Sequence, residues 1–183
     1  MVEYPTRGLF LRFAQEGAGA LQESVKTAQT RSAQNSVFLS HSSADTDLLP
    51  GVIALLEGHG AQHVYIDKID SSLPHTTSRE TARIIKERIG ICRKFLVLAT
   101  EKSKDSRWVP WELGIADGVR TPANTAILPG LESATDFRWT EREYLGVYDR
   151  VVWGVLEGES DRVWMVYNHE ANSAIRLSKW LAR

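Results

Sequence analysis

Short apolar runs alternate with amphipathic stretches along most of this chain. Four runs rich in Val, Ile, Leu and Phe predict β-strands at residues 36–40, 64–67, 95–99 and 125–128. Apolar positions recur at helical spacing between them, over residues 46–57, 78–91 and 108–118. The run at residues 95–99 is unbroken, which is typical of a strand covered on both faces. This alternation predicts an α/β fold with a central parallel sheet and helices on both faces.

The N-terminal part of the chain predicts a further helix outside this pattern. Apolar side chains recur at multiples of four over residues 6–34, at Leu9, Phe13, Leu21 and Val25. We therefore expect residues 1–34 to form an N-terminal helical extension, docked on the domain or on a neighbouring copy. Residues 35–183 then form the main domain.

The C-terminal part of the chain predicts additional elements beyond the alternating core. Apolar runs predict strands at residues 148–153 and 163–167, and residues 171–181 predict a last helix. Residues 129–139 predict a loop. The main domain therefore ends with a strand and a helix.

Polar loops follow the predicted strands. They lie at residues 40–43, 67–75, 100–108 and 129–133. In parallel sheets flanked by helices, ligands bind outside the carboxyl ends of the strands, so these loops predict the functional edge. Asp45 is placed to act as N-cap of the helix at residues 46–57, and Ser78 is placed to cap the helix at residues 78–91.

The stretch at residues 106–114 carries the most specific chemistry. Trp108 and Glu112 lie four residues apart, so on a helix they share a face. A flat aromatic ring beside a carboxylate suits a substrate that has a planar cationic ring and a bond whose breaking leaves positive charge on carbon. Alternatively, Glu112 only favours the helix N-terminus through the dipole. Trp108 and Trp111 cannot both point the same way, and we expect Trp111 to pack in the core.

Composition narrows the class of function. The net charge of −1 gives no electrostatic case for binding nucleic acid or an anionic membrane. No segment approaches the roughly 18 apolar residues that would span a bilayer. The one cysteine, Cys92, excludes an internal disulfide and fits a reducing cytosol, so we expect a cytoplasmic protein. The five histidines form no zinc spacing, and we expect no metal site.

Three motifs in sequence order resemble the Toll/interleukin-1 receptor (TIR) family. Residues 37–45 resemble its first strand and loop, and residues 65–74 its second strand and BB loop. Residues 106–113 are similar to its Ser-x-Trp-x-x-x-Glu motif. The form of this motif is most similar to that of bacterial TIR proteins of antiphage defence, of the Thoeris type. The resemblance implies a flavodoxin-like fold and, in catalytic members, cleavage of NAD at the nicotinamide–ribose bond, in several with release of cyclic ADP-ribose isomers.

The resemblance also implies a site. Glu112 would be the catalytic glutamate, and Trp108 would stack on the substrate. The residues that would line the pocket are Ser40, His41, Ser42, Ser43, Asp67, Pro74 and His75. NAD would be the substrate, with no separate cofactor.

Each of these pocket residues also has a structural interpretation. The serines can satisfy turn backbone, and Asp67 can cap the BB loop. His41 can be structural or lie at the surface, and His75, next to a helix start, fits either interpretation.

The resemblance implies partners as well. We expect a homo-oligomer held by TIR contacts, and a separate effector protein reached by a small-molecule signal. The alternative is a non-catalytic TIR interaction or adaptor module, although a pure adaptor has no need of Glu112. A receiver domain of the same architecture is excluded because it needs an acidic pair after the first strand and an aspartate after the third. This chain has His41-Ser42 and Thr100-Glu101 there.

Overall fold

A computed structural model of the chain describes residues 2–16, 36–67, 78–119, 121–133, 135 and 143–183. The strands are β1 (Ser36–Ser40), β2 (His63–Tyr65), β3 (Lys94–Ala99), β4 (Thr125–Pro129), β5 (Asp149–Val155), β6 (Arg162–Asn168) and β7 (Ser173–Arg176). The α-helices are α1 (Arg7–Glu16), α2 (Leu49–Gly58), α3 (Arg79–Ile91), α4 (Trp108–Val119) and α5 (Leu177–Ala182). Within these described ranges, no helix has the length and apolar character needed to cross a membrane.

The strands form one sheet in the order β2-β1-β3-β4-β5-β6-β7. Neighbours from β2 to β5 are parallel, which confirms the predicted parallel core. Strands β6 and β7 continue the sheet in antiparallel orientation beyond β5. The sheet is therefore mixed, with a parallel part that positions the functional edge and an antiparallel hairpin at one side.

Alternate side chains of the central strands enter two different cores. In β1, Val37 and Leu39 join a cluster with residues of α1, α2 and α5, whereas Phe38 joins a second cluster with residues of α3 and α4. Successive side chains along a strand point to opposite faces of the sheet. A strand that is covered on both faces therefore needs apolar residues at every position. This explains the unbroken apolar runs and confirms helices on both faces.

The prediction of a helix at residues 171–181 is wrong over its first part. Residues Ser173–Arg176 form β7 instead, and α5 begins only at Leu177. The turn before β7 is built by two asparagines. Asn168 accepts a hydrogen bond from the backbone of Ala171 (2.7 Å), and Asn172 takes a positive φ of 47°. Pairing with β6 therefore decides the structure of a segment whose local pattern predicts a helix.

The prediction that Asp45 caps the following helix is also wrong. Helix α2 begins at Leu49 after a 3₁₀ turn (Ser43–Asp45), and its N-cap residue, Leu48, makes no side-chain cap. The predicted cap of α3 is confirmed, because Ser78 forms a reciprocal capping box with Thr81.

Helix α1 packs directly on α2. Phe10 is fully buried, and Leu9 and Phe13 pack against the same core. The backbones are so close that a Cβ atom on Gly51 of α2 would lie 1.9 Å from the Phe10 carbonyl oxygen. The remainder of the predicted N-terminal helix, and the boundary at residue 34, lie outside the described residues.

Candidate active site

Helix α4 carries Glu112 toward the carboxyl end of β1. The side chain of Ser106 accepts a hydrogen bond from the backbone of Val109 (3.3 Å) at the start of the helix. Val109, Leu113 and Ala116 are buried in the core that α4 shares with the sheet. Glu112 lies on this inward side of the helix, so the sequence places a carboxyl group inside the protein.

Glu112 meets the last residue of β1. The Ser40 hydroxyl donates a hydrogen bond to Glu112 Oε2 at 2.5 Å. Both residues are almost fully buried, with 1% of Ser40 and 2% of Glu112 exposed. The predicted strand-end serine and the predicted catalytic glutamate are therefore in direct contact.

The surroundings of Glu112 favour its neutral form. Burial, together with the smaller effect of the nearby Asp67 charge, raises the pKa of Glu112 to about 8, against the opposing hydrogen bond from Ser40. The carboxyl group therefore holds its proton at neutral pH. A positive charge brought beside it would favour the anion.

His41 and Asp67 lie beside this pair. His41 Nδ1 is 3.9 Å from Asp67 Oδ1 and 3.4 Å from the carbonyl oxygen of Leu39. The His41 side chain is 1% exposed, whereas 26% of the Asp67 side chain reaches solvent. Asp67 thus lies at the partly open side of a buried group formed by Ser40, His41 and Glu112.

The other predicted pocket residues are divided. Ser42 is buried and its hydroxyl accepts a hydrogen bond from the backbone of Ala44 (3.3 Å), as the structural interpretation of the serines expects. Ser43 is exposed in the 3₁₀ turn. Pro74 and His75 lie outside the described residues.

Trp111 packs against the core, as expected, but Trp108 packs against the same core. Trp108 and Trp111 are both half-buried, pack against the same core and meet edge to face, with centroids 5.1 Å apart. The ammonium group of Lys86 on α3 lies 5.8 Å from the centre of the Trp111 ring. Trp108 keeps the helical face that it shares with Glu112.

A second polar group at this edge was missed by the sequence reasoning. Arg7 Nη1 and Nη2 each lie 2.7 Å from a carboxylate oxygen, of Asp45 and Asp47 respectively. Asp45 is fully buried, and its other oxygen accepts a hydrogen bond from Thr100 (2.6 Å). No sequence signal marks this contact, because Arg7 and Asp45 are 38 residues apart.

The sheet is flavodoxin-like, and the serine at the end of β1 contacts the glutamate of the Trp-x-x-x-Glu motif on α4. Together these two features define a class of protein. The TIR domain family model matches residues 37–154, and the chain belongs to the TIR family.

One relative resembles a large part of the chain. The chain is 36% identical over 148 residues to the probable 3′ cyclic ADP-D-ribose synthase ThsB′ of Bacillus cereus (strain MSX-D12). The match covers 79% of this chain and 74% of the relative.

Proposed function

We propose that this protein cleaves NAD, releases nicotinamide and joins the remaining ADP-ribose into a cyclic isomer that serves as a signal in antiphage immunity. The observation that carries the proposal is the buried Glu112 carboxyl group in contact with Ser40, on a helix that also presents Trp108. The likeness to a probable cyclic ADP-ribose synthase supports the choice of product.

The bond to be broken is already activated. Nicotinamide is a cationic ring in NAD and leaves as a neutral molecule, taking both electrons of the C1′–N bond. Positive charge then develops on the ribose, as in the oxocarbenium-like transition state of glycoside hydrolysis. The protein therefore needs no strong acid at the leaving group.

Glu112 supplies a negative charge beside the ribose, where positive charge develops. The cationic ring of bound NAD offsets the effect of Asp67 and favours loss of the Glu112 proton. The carboxylate then stabilises the charged ribose or holds its hydroxyl groups. When an internal hydroxyl attacks C1′, it loses its proton, and the products are cyclic ADP-ribose, nicotinamide and one proton.

Trp108 decides between cyclisation and hydrolysis in this proposal. A half-buried indole on the same helical face as Glu112 can stack on a ring of the substrate and keep water away from the ribose. Water that is excluded cannot compete with the internal hydroxyl.

Chromatography with mass detection of NAD incubated with concentrated protein tests the proposal. We expect nicotinamide and a cyclic ADP-ribose isomer from the wild-type protein, and neither from Glu112→Gln. Glu87→Gln is the matched control, because Glu87 is an exposed glutamate on α3 whose side chain pairs with Arg83, four residues earlier on the same helix.

Each product pattern has a distinct meaning. Linear ADP-ribose in place of the cyclic product would indicate a hydrolase. Intact NAD, even at a concentration that forces assembly, would contradict the proposal and favour the TIR interaction module.

Assembly and signalling are further parts of the proposal. The protein would act as a homo-oligomer in the cytoplasm, and its product would reach a separate effector protein. Membership of the TIR family supports these parts of the proposal, and measurement of the protein's size in the same assay tests the first of them.

A further inference from the structure

Arg7 links three loops of the functional edge. Its guanidinium group contacts Asp45 and Asp47, which follow β1, and Nε lies 3.3 Å from Glu132, which follows β4. Through Asp45 it also reaches Thr100, which follows β3. A single side chain from α1 thus connects the segments after three neighbouring parallel strands.

Backbone hydrogen bonds hold Arg7 in this position. The Arg7 amide donates to the carbonyl oxygen of Leu131 (2.8 Å), and the Leu131 amide donates to the carbonyl oxygen of Pro5 (3.1 Å). Phe10, one turn further along α1, is fully buried against α2. The guanidinium group is therefore held on both sides, by a short strand-like bridge and by a packed helix.

The segment that Arg7 holds is continuous with the candidate site. Ser40 and His41 are followed at once by a turn in which the Asp45 amide donates to the Ser42 carbonyl oxygen (3.0 Å). The Asp45 carbonyl oxygen accepts in turn from Leu48 (3.0 Å). A shift of Asp45 would therefore move the tight turn before it, and with it Ser40 and His41, which lie beside Glu112 and Asp67.

We propose that Arg7 is a positioning residue, which fixes the Ser40–Asp45 segment against Glu112 by its buried ion pair with Asp45. For its effect on turnover, the inference rests on the proposed function. Arg7 belongs to α1 and lies outside residues 37–154, which match the family model. The proposed positioning contact therefore depends on the N-terminal helix of this chain.

Arginine suits this role better than lysine. The planar guanidinium group offers five N–H donors in a fixed fork, and here its three nitrogens reach three carboxylates. A lysine ammonium group keeps the charge but cannot occupy the same positions simultaneously. Arg7→Lys therefore loosens the segment without leaving Asp45 unneutralised.

Hydrogen exchange and steady-state kinetics on the full chain test the inference. The variants are Arg7→Lys, Arg12→Lys as a control at an exposed position of the same helix, and Leu9→Ala as a control that weakens α1 packing without touching the ion pair. Exchange is followed in peptides covering residues 38–48, with Tm for every variant. NAD cleavage is measured for kcat and KM.

We expect faster exchange of residues 41–48 in Arg7→Lys alone, with kcat lowered about tenfold and KM much less affected, because misplaced groups cost transition-state stabilisation. Equal exchange in Arg7→Lys and Arg12→Lys would overturn the inference. The inference would also be overturned if Leu9→Ala, at an equal loss of Tm, gave the same faster exchange and the same lower kcat. In that case Arg7 would only stabilise the fold.

The exchange readout separates the two proposals. If the wild-type protein leaves NAD intact, the proposed function fails, yet exchange of residues 41–48 still decides whether Arg7 fixes this segment. If the wild type cleaves NAD and exchange is unchanged by Arg7→Lys, only the inference about Arg7 fails.

Discussion

At the scale of a single residue, the protonation state of Glu112 is the main electrostatic question of the site. The proposed chemistry needs its anion, whereas burial and the neighbouring Asp67 hold its pKa at about 8. A buried carboxylate without a cationic partner is costly, so the group keeps its proton until positive charge arrives. This arrangement links the charge of the site to the presence of a cationic substrate.

The same pKa predicts how stability changes with pH. The folded-state pKa of about 8 lies above the ordinary value of 4.5, so the folded protein holds this proton more tightly than the unfolded chain. The stabilising contribution is fully present below about pH 4.5 and is lost as pH rises through about 8. Glu112→Gln is a neutral mimic that does not titrate. We expect its Tm relative to wild type to rise by about 5 °C or more between pH 5 and pH 9.

Thermal melts of both proteins in matched buffers measure this effect. Glu87→Gln, at an exposed position, is the control and should show no such change. A Tm difference between Glu112→Gln and wild type that is the same at both ends of the range would contradict a raised pKa for Glu112.

At the scale of elements, the contact between α1 and α2 depends on the absence of a side chain. Gly51 lets the two helix backbones meet, because any Cβ atom would lie 1.9 Å from the Phe10 carbonyl oxygen. We expect Gly51→Ala to lower the free energy of unfolding by about 2–3 kcal/mol, since backbone atoms must move apart. Denaturant unfolding monitored by circular dichroism measures the change.

Gly58 provides the matched control in the same helix. A Cβ atom there has no neighbour within 4 Å, and its φ is not positive. Gly58→Ala should leave stability unchanged or raise it by up to about 1 kcal/mol through helix propensity. If the two alanine variants were equally stable, the close packing of α1 on α2 would be refuted.

Elements whose signals are local could be predicted from the sequence. The apolar runs located β1 to β4, and Ser78 marked the start of α3, because burial and capping leave their pattern in adjacent residues. Wrong predictions arose where a distant partner decides the outcome. Residues 173–176 pair with β6 instead of forming a helix, and Asp45 pairs with Arg7 instead of capping α2.

The candidate site was predictable to the same extent. Helical spacing placed Glu112 and Trp108 on one face, and the rule for strand ends brought Ser40 and Asp67 to the same edge. Burial of Glu112 and Asp45 was not predictable, because it depends on partners distant in the sequence: Ser40 lies 72 residues from Glu112, and Arg7 lies 38 residues from Asp45. The half-burial of both indoles has the same origin.

At the scale of the whole molecule, the core extends beyond the residues that match the family model. The larger core cluster takes Phe10 from before residue 37, and Trp164, Leu177 and Trp180 from after residue 154. Trp180 also donates a hydrogen bond to the Ala123 carbonyl oxygen (2.8 Å) and lies 4.7 Å from the Lys94 ammonium group. The antiparallel hairpin and α5 therefore complete the sheet face that α1 and α2 cover.

We therefore expect a chain of residues 36–155 not to fold. Strand β5 would lose its six residue pairs with β6 and become an exposed edge, and apolar core residues would face water. A chain of residues 36–183, which keeps the hairpin and α5, should retain a cooperative transition with a lower Tm. A chain of residues 1–155 should fail like the shortest one. Circular dichroism melts and size-exclusion chromatography of the three chains separate the contributions of the two ends, and a cooperative melt of residues 36–155 near the Tm of the full chain would show that the family-matched residues fold alone.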